Sequence, residues 1–180
     1  MAAPVGADGL TERVLGCIRD VPDYPKPGIV FKDINPLLAD GPVFGAVVES
    51  LAERYAGRID VVAGIEARGF VLGAPLAVRL GIGFVPVRKA GKLPGDLLQA
   101  SYDLEYGSAS IEVQHDGFAP GARAVVVDDV LATGGTAAST CELVERAGAV
   151  VVEVAVLMEL GFLSGRERLA DRLVHSVVTV

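Results

Sequence analysis

Residues 125–136 read VVVDDVLATGGT, and the fold turns on how that stretch is read. Ala124–Asp128 (AVVVD) is an apolar run of strand length that ends on the adjacent acids Asp128 and Asp129. Ala132-Thr133-Gly134-Gly135-Thr136 then leads into a helix expected near Thr136–Ala147 and stopped by Gly148. Val150–Met158 (VVVEVAVLM) reads as the next strand. Strand, glycine-rich turn, helix and strand in that order form a βαβ unit. Strands this apolar are buried on both faces.

The same pattern stands upstream. Apolar residues recur at helical spacing from Phe44 to Tyr55, and Gly57 follows as a stop. Arg58–Ile65 reads as a buried strand, Gly69–Leu80 as a helix ended by Gly81, and Phe84–Val87 as a short strand. The alternation predicts an α/β fold with a parallel twisted sheet flanked by helices. Two stretches depart from it. Val21–Pro36 (VPDYPKPGIVFKDINP) carries four prolines, so an ordered, irregular arm is expected there. From Arg88 to Gly117 the charge is high and the periodicity weak, with a hairpin readable only around SYDLEYGSASIEVQ. A loop of that length commonly serves as a lid.

Composition limits the function classes. With 180 residues, one domain is expected, long enough to bury a core without disulfide or metal staples. Sixteen Lys+Arg against 23 Asp+Glu give a net charge of −7, which disfavours nucleic acid and anionic membranes as partners. Apolar residues make up 51% of the chain, yet Pro75, Glu153 and Glu159 interrupt the longest apolar runs, so no membrane span is expected. Met1 to Thr11 lacks the pattern of a secretory leader, and a cytoplasmic setting is the expectation. Cys17, Cys141, His115 and His175 show no zinc-ligand spacing.

The 125–136 stretch also carries chemistry. Its glycines let backbone N–H groups converge, and Thr133, Thr136 and a helix N-terminus add donors and a positive dipole end. That is a cradle for a phosphate group. Asp128 and Asp129 suit sugar hydroxyls or a hydrated Mg²⁺. An ordinary strand-to-helix turn would account for the glycines alone, but not for the adjacent acids and hydroxyls together. No G-x-x-x-x-G-K-[ST] occurs, and Gly81–Gly83 lacks the third glycine of a dinucleotide fingerprint.

With those residues on view, the segment resembles the phosphoribosyl diphosphate (PRPP) motif of the type I phosphoribosyltransferases. Further stretches are similar to the adenine-using branch of that family: PDYPKPGIVFKDI at 22–34, EARGF at 66–70, VRKAGKLPG at 87–95, SYDLEYG at 101–107 and MELGFLSGRERL at 158–169. The resemblance covers roughly residues 21–170 and implies a type I fold with a small N-terminal hood (about 1–36), a mobile lid loop (about 92–112), Mg²⁺ as cofactor and a homodimer. It implies no protein side chain bound directly to the metal, which PRPP and water would hold.

Residue by residue, the resemblance assigns Asp128 and Asp129 to the ribose hydroxyls and Ala132, Thr133, Gly134, Gly135 and Thr136 to the 5′-phosphate. Ala67, Arg68 and Gly69 resemble the pyrophosphate loop, in which one peptide, here Glu66–Ala67, is commonly strained or cis. A cation at a helix start opposes the dipole, so a bound anion is the better account of Arg68. Arg88, Lys89 and Lys92 follow a strand at the end where ligands collect in open α/β sheets, and pyrophosphate contact is expected of them. Lys92 is also a candidate to act on a partner subunit's site. Phe31 resembles the platform that stacks on adenine, with the backbone of Val30 and Lys32 reading its edge and Leu160 on its other face. Many family members carry Arg where Lys32 stands. Glu105 and Tyr106 resemble the catalytic pair of the lid, one handling the adenine proton and the other closing the site. The resemblance implies purine salvage, AMP and pyrophosphate from adenine and PRPP. A 6-oxopurine transferase and a non-catalytic PRPP sensor are the alternatives.

Overall fold

The computed structural model describes residues 7–103, 108–169 and 171–180, and the chain divides into two compact units, residues 1–50 and 51–180. The first unit holds helix α1 (Ala7–Gly16), strands β1 (Arg19–Pro22) and β2 (Val30–Asp33), helix α2 (Asn35–Ala39) and most of helix α3 (Gly41–Tyr55). β1 and β2 pair antiparallel as a two-stranded ribbon. The arm expected to be irregular is therefore a hairpin. Its prolines fall where a ladder loses nothing. Pro25 and Pro27 lie in the connection, Pro22 closes β1, and Pro36 opens α2. Gly28, at φ 87°, makes the turn. Its N–H donates to the Asp23 carboxylate at 2.8 Å.

The second unit is built on β3 (Val61–Ile65), α4 (Arg68–Leu80), β4 (Gly83–Lys89), β5 (Leu97–Asp103), β6 (Ser108–Gln114), β7 (Arg123–Leu131), α5 (Gly135–Arg146), β8 (Val150–Glu159) and β9 (Val174–Thr179). Seven strands form one sheet in the order β5-β6-β4-β3-β7-β8-β9. The five from β4 to β9 in that order are mutually parallel, and the β5–β6 hairpin adds antiparallel beside β4. The expected parallel sheet is thus present, extended at one edge by the 97–114 region. Between β8 and β9 the chain makes two 3-10 turns, Gly161–Leu163 and Gly165–Leu169.

Packing explains the order. Val125, Val126 and Val127 of the central strand β7 are fully buried between β3 and β8. The one acid in the middle of β8, Glu153, is buried and held by Arg54 at 2.6 and 2.8 Å and by the Tyr55 hydroxyl at 2.8 Å. The chain steps from β3 to β4 on one side and later to β7 on the other. That makes the C-terminal ends of β3 and β7 the switch point where open α/β sheets bind ligands.

The Phe84 ring fills space left by glycines on β3 and α4. A Cβ on Gly64 would lie 2.5 Å from that ring, and one on Gly73 at 3.0 Å. Gly64→Ala is expected to cost about 1–3 kcal/mol by overpacking. Thermal melts should show the loss, and adding Phe84→Leu should recover part of it.

Candidate active site

β7 runs through Asp128 and Asp129 to Leu131, so both acids stand inside the strand rather than just beyond it. After it, residues 132–134 turn into α5, with Gly134 at φ 81° as the N-cap. That conformation favours glycine. A second reason is contact. A Cβ on Gly134 would lie 2.3 Å from the Gly165 carbonyl, and one on Gly165 2.1 Å from the Ala132 carbonyl. The loop is therefore braced from behind by the 3-10 turn at 165–169. Asp128, Ala132, Thr133, Gly134, Gly135 and Thr136 all line a concavity of about 70 Å³ at this point, enough for several waters or one compact anion.

α4 begins beside it. Its N-cap is Ala67, the Glu66–Ala67 peptide is cis, and Gly69 is buried. A Cβ on Gly69 would sit 2.5 Å from the Val127 carbonyl and 3.1 Å from Asp128 Cα, so only glycine lets α4 start this close to β7. Neither α4 nor α5 has a side-chain cap or an acid in its first turn. Their first N–H groups are donors suited to an anion.

The charges are ordered. Arg68 Nε lies 2.9 Å from Oδ2 of Asp129, as an ion pair without hydrogen-bond alignment at that oxygen. Asp129 is buried, and its N–H donates to Asp128 Oδ1 at 2.8 Å. Burial and the neighbouring Asp129 charge push the Asp128 carboxyl well above the usual carboxylate range.

Next to this pair, Glu66 follows directly after β3, and motif reading left it without a role. Its carboxylate accepts from Lys92 Nζ at 2.6 Å, the Lys89 N–H at 3.0 Å and Arg88 Nε at 3.2 Å. Lys92's ammonium above all, with the Lys89 N–H and Arg88, holds it at about 2 despite burial. Arg88, Lys89 and Lys92 thus converge on one carboxylate at the ends of β3 and β4. Lys89 reaches it through its backbone.

Leu160 follows β8, and its N–H donates to the Leu131 carbonyl at 2.9 Å, which sets it beside the end of β7 that leads into the 132–136 loop. Val30, Phe31 and Lys32 lie on β2 in the first unit. Phe31 packs edge-on to Tyr24 at 5.2 Å, and the Lys32 ammonium is taken up by Asp20 at 2.7 Å. Glu105 and Tyr106 lie outside the described residues.

Among the described residues no group of three or more His, Cys, Asp or Glu is placed to hold a metal. Asp128 and Asp129 are two hard oxygen ligands, and Asp129 Oδ2 is buried without a hydrogen-bond donor. Mg²⁺ keeps several waters and is held largely by substrate phosphates, so this pair would fit the water shell of an ion bound to the diphosphate.

The chain matches the model of the phosphoribosyl transferase domain over residues 38–176. It is 62% identical over 167 residues to adenine phosphoribosyltransferase of Streptomyces coelicolor, spanning 92% of this chain and 91% of that one. The Roseiflexus sp. adenine phosphoribosyltransferase is 58% identical over 94% of this chain and 99% of its own. Among solved structures, the Thermoanaerobacter pseudethanolicus adenine phosphoribosyltransferase superposes with a TM-score of 0.91 at 48% identity, covering 94% of this chain and 99% of that one. The Saccharomyces cerevisiae enzyme, solved with an imino-altritol bisphosphate and adenine, gives 0.91 at 38% identity, with coverage of 94% and 99%.

The Glu66 cluster predicts a pH dependence. Its folded carboxyl is depressed from 4.5 to about 2. The stability it contributes is therefore full above pH 4.5 and is lost as pH falls through about 2. Melts of the wild type and Glu66→Gln should differ by a constant Tm gap above that range, closing on acidification.

Proposed function

The chain belongs to the phosphoribosyltransferase family, and we propose that it transfers the 5-phosphoribosyl group of PRPP to N9 of adenine, giving AMP and pyrophosphate. The observation that carries the reading is the convergence at one switch point of three elements. These are the uncapped loop at 132–136, the carboxylates of Asp128 and Asp129, and the cations Arg68, Arg88 and Lys92. PRPP presents a 5′-phosphate, two ribose hydroxyls and a pyrophosphate, one for each element.

In this reading the N–H groups of Thr133 to Thr136 hold the 5′-phosphate, and Asp128 and Asp129 accept from the ribose hydroxyls. As the bond from C1 to pyrophosphate breaks, negative charge grows on the leaving group, and positively charged Arg68, Arg88 and Lys92 stabilise it more than the ground state. The backbone of Ala67 and Gly69 is proposed to add donors there, and the Lys89 N–H, which donates to Glu66 at 3.0 Å, holds that carboxylate in place. Mg²⁺ bound with the diphosphate supplies further charge neutralisation. The ribosyl group left behind is oxocarbenium-like, so water has to be kept out. The lid expected as a loop over 92–112 is proposed only for the part that carries Glu105 and Tyr106, because Leu97–Asp103 and Ser108–Gln114 are paired strands at the sheet edge. On the strength of resemblance, Glu105 handles the adenine proton and Tyr106 closes over the site.

Adenine is favoured over 6-oxopurines on two grounds. Each relative named above is an adenine phosphoribosyltransferase, which also favours a catalyst over a PRPP sensor. The second ground is polarity. Adenine donates from N6 and accepts at N1, and the 6-oxopurines present the reverse, so fixed C=O and N–H groups of Val30 and Lys32 would leave them unpaired. The Lys32 side chain is already engaged by Asp20, which leaves its main chain for the base. Phe31 stacks on the ring, and Leu160 supplies an apolar contact. Free thiols at Cys17 and Cys141 suit a cytoplasmic setting, and the family pattern carries a homodimer.

With PRPP and Mg²⁺, purified protein is expected to release pyrophosphate far faster with adenine than with hypoxanthine, guanine or xanthine. PRPP binding without turnover on any base would refute the catalytic reading. Asp129→Asn should raise the KM for PRPP, and unchanged KM and kcat would remove it from the ribose site. Glu105→Gln should lower kcat about 10²-fold or more while PRPP affinity holds.

A further inference from the structure

Glu112 lies on β6 and is fully buried, at 0% exposure. It stands between Arg88 of β4 and Gln99 of β5 in the sheet register. A buried carboxylate usually has a cation against it. Here every hydrogen bond it accepts among the described residues comes from neutral groups. Oε1 accepts from the Lys92 and Leu93 N–H groups, both at 2.7 Å, and Oε2 from the Gly91 N–H at 3.0 Å and Gln99 Nε2 at 3.2 Å.

Three successive N–H groups turned onto one anion make a nest, the backbone device that elsewhere holds phosphate. In this chain the anion comes from the next strand. Gly91 supplies the conformation the nest requires, at φ 84°. Four donors on two oxygens satisfy an ionised carboxylate and oppose a protonated one. Burial pushes the group up, but those N–H bonds outweigh it and its carboxyl lies below the usual range.

The turn so fixed carries functional side chains. From it Lys92 Nζ reaches Glu66 at 2.6 Å, and the Lys92 carbonyl accepts from the Arg88 guanidinium at 3.3 Å. Glu66 in turn accepts from Arg88 Nε. Removing the charge at residue 112 sets the amide –NH₂ of a glutamine against one of the N–H donors, since only one of its two ends accepts.

We infer that Glu112 is a positioning residue for PRPP. Its buried carboxylate sets the Gly91–Leu93 turn and so places Lys92 and Arg88 for the pyrophosphate, without touching substrate itself. This rests on the proposed role of those two cations as pyrophosphate contacts.

The test is steady-state kinetics with PRPP and adenine varied separately, together with thermal melts, for Glu112→Gln, Gly91→Ala, Lys92→Ala and the Lys92→Ala/Glu112→Gln pair. Glu112→Gln should raise the KM for PRPP about tenfold with the KM for adenine within about twofold. Gly91→Ala, which strains the same turn without steric contact, should shift the same parameter and decides the matter if Glu112→Gln does not fold. The double variant should raise KM by less than the product of the single effects, because the two residues act through one turn. A lowered Tm with wild-type KM for PRPP in Glu112→Gln and Gly91→Ala, while Lys92→Ala raises it, would overturn the inference and leave the pyrophosphate role standing. If Lys92→Ala itself leaves that KM unchanged, the pyrophosphate role fails and the inference falls with it.

Discussion

A methyl group at residue 69 would lie 2.5 Å from the Val127 carbonyl, closer than any side chain tolerates. That gap, left by a glycine, lets the start of α4 rest against the end of β7. The rest of the site depends on it. It brings Arg68 within 2.9 Å of Asp129 and puts an uncapped helix start beside the two acids. A second backbone-to-backbone approach, Gly134 against Gly165, fixes the 132–136 loop from the other side. Both contacts involve carbonyls that cannot give way as a flexible side chain would. The cradle is therefore shaped before any ligand arrives, which is how binding energy is kept for the reacting groups.

Charge is organised with equal economy. The chain carries a net −7, yet its ligand is proposed to be a polyanion. The acids near the site do not repel that ligand indiscriminately, because most are already committed. Glu66 gathers Arg88 and Lys92, Glu112 fills a nest of N–H groups, and Glu159 holds Arg166 at 2.7 Å. Arg166 also donates to Ser176 on β9 and to the Val174 carbonyl, which ties the 165–169 turn to the sheet. Asp128 and Asp129, the latter paired with Arg68 at 2.9 Å, are the acids proposed to meet the hydroxyls and a hydrated cation. Acidity thus builds the frame that holds the few cations proposed to meet the pyrophosphate.

Much of this was legible in the sequence. The AVVVD run, the glycines at 81 and 148 with left-handed φ of 68° and 89°, and the alternation of strand and helix gave the parallel core directly. Paired acids before a glycine-rich turn gave the cradle. What stayed hidden acts through space or through backbone. Gly165 matters because the Ala132 carbonyl approaches it and its own carbonyl approaches Gly134, which no local pattern records. Glu112 sits in an ordinary alternating strand, and three of its four partners are main-chain groups 19 to 21 residues away. The 97–114 hairpin lacks strong apolar periodicity because it lies at the sheet edge, and β9 follows two irregular 3-10 turns instead of a helix. The prolines of residues 22–36 suggested irregular chain, whereas a two-stranded ribbon accommodates them at its ends.

The central claim is that one switch point receives all three parts of PRPP. A crystal structure of the protein with PRPP and Mg²⁺ tests it most directly. The account predicts the 5′-phosphate within hydrogen-bond distance of the N–H groups of residues 133–136, the ribose hydroxyls on Asp128 and Asp129, and the pyrophosphate against Ala67–Gly69 and Arg88. A PRPP molecule seated elsewhere, or turned so that its pyrophosphate fills the 132–136 loop, would contradict it.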